Sequence, residues 1–147
     1  MTTDSKNNDK IEHLKLIEQV IERMARNSFM LKGWVCTLLA GISVYIKGTI
    51  PIYILLMGCF IIVAFWYMDS YYLKQERLYR QLYNEVRTRR NTAIDFDMNT
   101  NKQVNCNTCM IKVMFSNSEF VFYALVIVIW CIVYYALSSV TVQSLMK

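Results

Sequence analysis

The sequence predicts an all-α membrane protein with three transmembrane helices. It also predicts an N-terminal amphipathic helix and a cytoplasmic helical extension of the second span. Hydrophobic residues make up 55% of the 147 residues and charged residues only 18%, against about 45–50% and 25% in typical soluble domains. Three apolar stretches each approach the roughly 20 residues that cross a bilayer as a helix. This composition excludes a disordered tail, a collagen-like repeat, a disulfide-rich secreted domain and a soluble enzyme of ordinary size.

The three spans are predicted at Phe29–Ile46, Ile50–Met68 and Phe120–Val140. Backbone polar groups find no water in hydrocarbon, so each separated span must be helical. Pro51 stands at the start of the second span, where its missing N–H costs nothing. The linker 47–49 is too short for anything but an antiparallel hairpin. A charged helix precedes the first span and no cleavage site follows it, which argues against a signal peptide.

The distribution of Lys and Arg along the chain predicts how these spans are oriented in the membrane. Six of them lie in residues 1–32 and eight in residues 69–119, whereas the hairpin tip and the C-terminal tail have only Lys47 and Lys147. The positive-inside rule therefore predicts a cytoplasmic N-terminus and an external C-terminus. The predicted segments are a cytoplasmic helix 1–28, a transmembrane hairpin 29–68, a cytoplasmic basic helix and polar loop 69–119, a third span 120–140 and an external tail 141–147.

The N-terminal helix is predicted over residues 10–28 and is expected to run into the first span with little interruption. Asp9 and Glu12 occupy the positions of a capping box, which predicts a helix start near them. Its apolar residues recur at a helical 3-4-3 spacing, at Leu14, Ile17, Ile21 and Met24. Two interpretations of this stripe are open. In the first, it lies on the membrane or packs on a neighbouring helix. In the second, it mediates oligomerisation, although its two heptads are fewer than a coiled coil needs.

The second span is expected to continue as a basic amphipathic helix over residues 69–90. Glu76 with Arg80, and Glu85 with Arg89, are spaced as i,i+4 pairs in the favourable order. The cationic residues form either a solvated face or a surface for anionic lipid headgroups or a polyanion. They are Lys74, Arg77, Arg80, Arg87, Arg89 and Arg90. No RNA-binding motif or glycine-rich phosphate loop accompanies them, so no specific nucleic acid is expected as a partner.

Residues 91–118 are Asn-rich and are predicted to form an irregular connector, with a short strand around Met110 to Phe115. The connector contains a CxxC pair, Cys106 and Cys109. That spacing fits half of a tetrahedral zinc site or a redox dithiol, and it also fits a pair without function. A zinc site would need ligands from a second subunit because His13 is the only histidine, so these cysteines are weak metal candidates and no cofactor is expected.

Lys32 is the one charged residue inside a predicted span, near its cytoplasmic end. Asp69 ends the antiparallel second span at about the same depth. The two are predicted to form an interfacial ion pair that fixes the hairpin register; the alternative is that the Lys32 stem extends to water by itself. Gly33, Thr37 and Gly41 place small residues along one face of the first span. Such a face lets another helix approach closely, either the second span or a helix of another subunit.

Aromatic residues near the ends of the spans are predicted to act as membrane-interface anchors, as Trp and Tyr commonly do. They are Trp34, Trp66, Tyr67, Tyr71, Tyr72 and Tyr123. The chain offers no mid-membrane carboxylate pair, no Ser/His/Asp set and no HExxH or Walker motif. It is therefore not expected to be an enzyme.

Two stretches between Lys10 and Arg87 carry a resemblance to known families: IEHLKLIEQVIERMARNSFMLKGW and FWYMDSYYLKQERLYRQLYNEVR. Each joins a charged helix to an apolar span. The arrangement resembles the two-span-plus-helix effectors of bacterial conflict systems, the SLATT-type families, and is similar to the octameric inner-membrane proteins of the RipA family. The resemblance covers about half the chain, and the third span has no counterpart in the two-span pattern. The resemblance implies a homo-oligomer that permeabilises the bacterial inner membrane when triggered.

Together these observations predict a homo-oligomeric inner-membrane protein that acts as a regulated pore or membrane-disrupting effector in anti-phage or stress defence. Its expected partners are membrane lipids, other copies of itself, and a phage-derived or host cytoplasmic protein as trigger. The alternative is a non-conducting adaptor that docks a cytoplasmic partner through residues 69–119.

Metal analysis of the purified protein tests the zinc interpretation of the CxxC pair. We expect Cys106→Ser to leave the metal content unchanged, because one chain supplies only two of the four ligands that zinc needs. Loss of bound zinc in the variant would contradict this expectation and identify an intersubunit site.

Overall fold

The computed structural model describes residues 3–45, 51–89, 96–104 and 109–145, with side chains for 7–44, 51–89, 96–104 and 109–139. Within these ranges the fold is all-helical, as predicted, and contains no strand. The helices are α1 (Thr3–Tyr45), α2 (Ile52–Thr88), the short α3 (Met110–Met114) and α4 (Asn117–Leu145), with a 3-10 turn at Asn101–Gln103.

Three of these helices are long and apolar enough to cross a membrane: α1 over Asn7–Val44, α2 over Ile52–Thr88 and α4 over Asn117–Ser139. At the helical rise of about 1.5 Å per residue, α1 is about 65 Å long and α2 about 55 Å, roughly twice the thickness of a hydrocarbon core. Each therefore has an apolar half (29–44 in α1, 52–68 in α2) and a polar half (7–28 in α1, 69–88 in α2). Neither helix is interrupted where the halves meet, as predicted.

Two predicted local features are wrong. α1 begins at Thr3 rather than near Asp9, because the residues before the capping box continue the helix. The predicted strand around Met110 to Phe115 is the helix α3, in which the Phe115 N–H donates to the carbonyl of Ile111 at 3.1 Å. A strand needs a partner edge, and none exists among the described residues.

The first core joins the apolar halves of α1 and α2 to α4, with α2 in the middle. Ile62 of α2 is fully buried at its centre. The other buried members are Val35 and Leu39 of α1, and Tyr123, Val126 and Trp130 of α4. The side chains on the opposite faces of the same helices are apolar and exposed, among them Val44, Phe60 and Tyr135. Exposed apolar faces of this size suit a lipid environment.

α4 approaches α2 closely at Gly58. The indole of Trp130 packs directly on this glycine, where an added Cβ would overlap the ring. The Trp130 Nε1–H donates to the carbonyl of Leu55 at 3.2 Å. Gly58 is therefore required for the packing distance between the two helices.

The second core joins the polar halves of α1 and α2. Ile17 of α1 is fully buried against Leu82 and Val86 of α2. Leu14 and Ile21 pack around the same centre, and Met24 is half-buried. The predicted apolar stripe of α1 therefore packs on α2 of its own chain. This is the packing on a neighbouring helix that the first interpretation of the stripe predicts.

Polar contacts lie at the end of this second core that is farthest from the apolar halves, near the C-terminus of α2. The Lys10 ammonium donates to the carbonyls of Arg87 and Arg89 at 3.0 and 2.8 Å, and so satisfies groups that a helix leaves unpaired at its C-terminus. Glu85 accepts hydrogen bonds from Arg89 at 2.5 Å and from Gln103 at 2.6 Å. The hydrogen bond from Arg89, followed by that from Gln103, holds the pKa of the Glu85 carboxyl below its usual range.

The Gly58 contact can be tested by thermal unfolding of the detergent-purified protein, followed by circular dichroism. We expect Gly58→Ala to destabilise the fold by about 1–3 kcal/mol, the usual cost of overpacking a core, because the methyl group displaces the Trp130 indole. Ala136→Val is the control. Ala136 is exposed on α4 and lies outside both the core and the small residues of α1, so the added methyl groups should leave the melting temperature nearly unchanged. Equal destabilisation by the two substitutions would contradict the packing described here.

Candidate functional site

The main polar feature of the described chain is a charged cluster made of Ser28, Lys32, Asp69, Glu119 and Tyr123. Its centre is the Asp69 carboxylate on α2, which is fully buried. Asp69 accepts hydrogen bonds from the Ser28 hydroxyl, from the Lys32 ammonium at 2.5 Å and from the Tyr123 hydroxyl at 3.0 Å. The donors belong to α1 and α4, so one carboxylate joins all three long helices.

Helical spacing explains how the flanking helices contribute to this site. Ser28 and Lys32 are four residues apart on α1, and Glu119 and Tyr123 are four residues apart on α4. Side chains at this spacing project from one face of a helix. Asp69 lies where the apolar half of α2 ends, level with the corresponding point on the antiparallel α1.

Lys32 bridges two carboxylates rather than one. Its ammonium lies 3.0 and 3.2 Å from the two oxygens of Glu119, in addition to its contact with Asp69. It also donates to the Ser28 hydroxyl at 3.2 Å and lies 5.7 Å from the centre of the Phe122 ring, within range of a cation–π interaction. The structure thus brings the predicted pair into contact. The sequence-based prediction of this ion pair did not include Glu119. Its position was a usable signal, because Glu119 directly precedes the third span as Asp69 directly follows the second.

Aromatic side chains cover the cluster. The Trp66 ring stacks on Tyr123 with centroids 5.8 Å apart, and its Nε1–H donates to the carbonyl of Met114 at 3.2 Å. Phe115 and Phe120 pack around the same indole. Tyr123 is fully buried, so it faces the interior of the protein, whereas Trp66 is half-buried. The other predicted anchors, Trp34, Tyr67 and Tyr71, are exposed and Tyr72 is half-buried.

This arrangement makes the relative position of three helices depend on charge. The Asp69 side chain is 0% exposed, that of Glu119 3% and that of Lys32 22%. At such burial, electrostatic interactions are stronger than at a solvated surface. A change in the charge of any member therefore alters the contact between α1, α2 and α4.

The small-residue face, formed by Gly33, Thr37 and Gly41, lies on the side of α1 opposite Val35 and Leu39. All three of its residues are exposed, and nothing in the structure lies within 4 Å of a Cβ added at either glycine. Thr37 donates its hydroxyl to the Gly33 carbonyl within the same helix at 3.0 Å. Among the described residues, neither glycine packs against the second span. Contact of this face with a helix of another subunit stays a prediction.

An apolar groove of about 540 Å³ runs beside the small-residue face, between α1 and α2. Thr37 and Gly41 form part of one wall. Tyr53 and Met57 of α2 form part of the other, and both are exposed. A helix of another chain could thus contact α1 and α2 together.

The predicted basic face of α2 is partly engaged in contacts within the chain. Arg77 donates to the hydroxyl of Ser116 at 2.9 Å, which ties α2 to the residue before α4. Arg80 pairs with Glu76 at 2.7 Å, and Arg89 with Glu85, at the predicted spacing. Of the remaining predicted members, Lys74 is half-buried, Arg87 is exposed and Arg90 lies outside the described residues.

The cysteine pair is only half described. Cys109 is exposed at the start of α3, and Cys106 lies outside the described residues. Within the described ranges, no group of three or more His, Cys, Asp or Glu side chains is arranged to hold a metal ion. His13 is buried in the polar half of α1, with its ring centroid 5.3 Å from that of Phe96.

Comparisons of the chain with protein families, characterised proteins and solved structures find no match. The resemblance to the SLATT-type and RipA families therefore stays a prediction from the two stretches of sequence that suggested it. The charged cluster and the small-residue face are the two features of the described residues that bear on function.

Charge substitutions in the cluster test its structural role. We expect Lys32→Asp and Asp69→Lys, each alone, to destabilise the protein by about 3–5 kcal/mol, the cost of breaking a buried ion pair. The reversed pair in one chain should recover part of that loss, because opposite charges again face each other. Melting temperatures of the three variants give the comparison.

Glu76→Gln is the control for these variants. It removes an i,i+4 pair on the polar half of α2, which is worth only about 0.3–0.5 kcal/mol. A reversed pair that is no more stable than either single variant would contradict the assigned ion pair.

Proposed function

We propose that the chain is a homo-oligomeric membrane protein that acts as a regulated pore or membrane-disrupting effector. The observation that carries this proposal is the small-residue face of α1, which is exposed and points away from the core of its own chain. In lipid, helices associate largely by close packing of their backbones, which small residues permit. A face of this kind without a partner in its own chain suits a second copy.

The neighbouring groove enlarges this surface, because Thr37 and Gly41 belong to both the small-residue face and the groove wall. A ring forms when this combined surface contacts a different surface of the next subunit and the rotation permits closure. The exposed Tyr53 and Met57 would then be covered by the adjacent subunit.

The polar halves of α1 and α2 are proposed to lie in the cytoplasm, in accordance with the positive-inside rule. Because both helices continue without interruption from the polar to the apolar half, a movement at their cytoplasmic ends is transmitted to the membrane. The charged cluster lies at the junction of the halves and holds α4 to both helices. A signal protein of phage or host origin that binds the polar halves would act on the spans through this junction.

The apolar character of the spans bears on how such an assembly opens. Exposed side chains of α1, α2 and α4 within the apolar halves are mainly hydrophobic. A closed ring of such surfaces would exclude ions by dewetting, and opening would require the subunits to rearrange. This behaviour agrees with what the resemblance to conflict-system effectors implies, namely permeabilisation of the bacterial inner membrane upon a trigger.

A non-conducting adaptor is the second candidate, and one feature favours it. An open groove of about 430 Å³ lies between the polar halves, with both acidic and basic side chains along it. Its lining residues are Glu18, Ile21, Glu22, Arg80, Tyr83 and Asn84. A groove of mixed charge can dock a helix of a partner protein. An adaptor would use this contact to recruit the partner, whereas an effector would use it to receive the trigger.

Membrane potential in expressing cells distinguishes the two candidates. We expect triggered expression of the wild type to depolarise the inner membrane and arrest growth, and Gly41→Leu to abolish both effects by filling the small-residue face. Ala136→Leu is the matched control, since it enlarges an exposed small residue on α4 and should leave depolarisation intact. A normal potential with the wild type under every trigger would contradict the pore and leave the adaptor.

A further inference from the structure

The charged cluster has an imbalance of formal charge. It contains two carboxyl groups, Asp69 and Glu119, and one ammonium group, Lys32. The other members, Ser28 and Tyr123, contribute hydroxyl groups. If both carboxyls are ionised, the cluster has a net charge of −1 while its two carboxyls are almost completely buried. Burial of an uncompensated charge costs several kcal/mol, so a neutral form of the cluster is favoured.

The hydrogen bonds indicate which carboxyl is ionised. Asp69 accepts from Ser28, Lys32 and Tyr123, and donors directed at a carboxylate stabilise its charged form. Among the described residues, Glu119 accepts from Lys32 alone.

The two carboxyls also share one cation, since the Lys32 ammonium lies 2.5 Å from an Asp69 oxygen and 3.0 Å from a Glu119 oxygen. Two ionised carboxylates held beside the same ammonium repel each other, and a proton on one of them removes the repulsion. Since Asp69 has the larger set of donors, the proton belongs on Glu119.

We propose that the charged cluster binds one exchangeable proton, held on Glu119, and that its loss weakens the contact of α4 with α2. In the protonated form, Asp69 and Lys32 are ionised and Glu119 is neutral, so the charges balance. On release, the O–H bond of Glu119 breaks and the proton passes to water. The route to water runs along the Lys32 side chain, which is 22% exposed.

The expected consequence of proton loss follows from the position of Glu119 in the first turn of α4. Its carboxylate then repels Asp69, and the helix that carries it moves away from α2. The Glu119 carboxylate is still attracted by Lys32 and by the N-terminal end of α4, and Arg77 still donates to Ser116 next to α4. We therefore expect α4 to shift in position but to remain folded. This proton-dependent shift of α4 goes beyond the proposed function, because it depends neither on assembly of subunits nor on a pore.

Infrared spectroscopy of the detergent-purified full chain tests the site directly. A protonated carboxylic acid has a C=O stretching band distinct from the bands of carboxylates. We expect such a band at neutral pH in the wild type, its loss as the pH is raised, and its absence in Glu119→Gln. Glu76→Gln should keep it, because Glu76 pairs with Arg80 outside the cluster. The absence of the band from the wild type at neutral pH, or its persistence in Glu119→Gln, would overturn the proposal.

Thermal stability gives a second readout. A proton that is bound in the folded state stabilises the fold at low pH, and this contribution is lost as the pH rises through the titration. The wild-type melting temperature should therefore fall by several degrees over the same pH range in which the band disappears. Glu119→Gln mimics the protonated carboxyl, so it should remain folded and lack this fall. If Asp69→Asn, instead of Glu119→Gln, removes the band, the proton is on the other carboxyl and the assignment is wrong.

Discussion

Burial of the Asp69 carboxylate is the constraint on which the rest of the structure depends. A carboxylate removed from water must be supplied with donors, and its own helix supplies none of the three that it accepts. Two come from α1 and one from α4, so all three helices must meet at one level. Because removal of a single partner leaves a buried charge uncompensated, the penalty for misplacing a helix exceeds what the ion pair contributes to stability. The cluster therefore acts chiefly on the specificity of the arrangement.

The same constraint determines which surfaces the molecule leaves free. With Ser28 and Lys32 directed at Asp69, α1 can present only its opposite side to its surroundings, and that side has Gly33, Thr37 and Gly41. The uninterrupted course of α1 then connects this face to the second core, where Ile17 packs on α2. In the proposed account, the surface that joins subunits and the segment that receives a signal belong to one rigid helix.

Much of this fold follows from sequence patterns, and the part that does not has a physical reason. Length and hydropathy located the three spans, and the contact of Lys32 with Asp69 followed from two charges at equal depth on antiparallel helices. The place of Glu119 depends on how α4 packs, which is governed by the contact of Trp130 with Gly58, and no periodicity signals that contact. Tyr123 is of a residue type common at membrane interfaces, yet its hydroxyl donates to Asp69 and the side chain is buried. Ile111 and Val113 favour a strand locally, but a strand also needs a partner edge.

Association of copies of this chain through α1 is the proposal on which the pore depends. It is tested by native mass measurement together with particle imaging of the wild-type protein in detergent. We expect a closed symmetric ring of identical subunits with the small-residue face of α1 at every interface. A monomer whose small-residue face contacts only detergent, or a complex of one copy with a different protein, would contradict it.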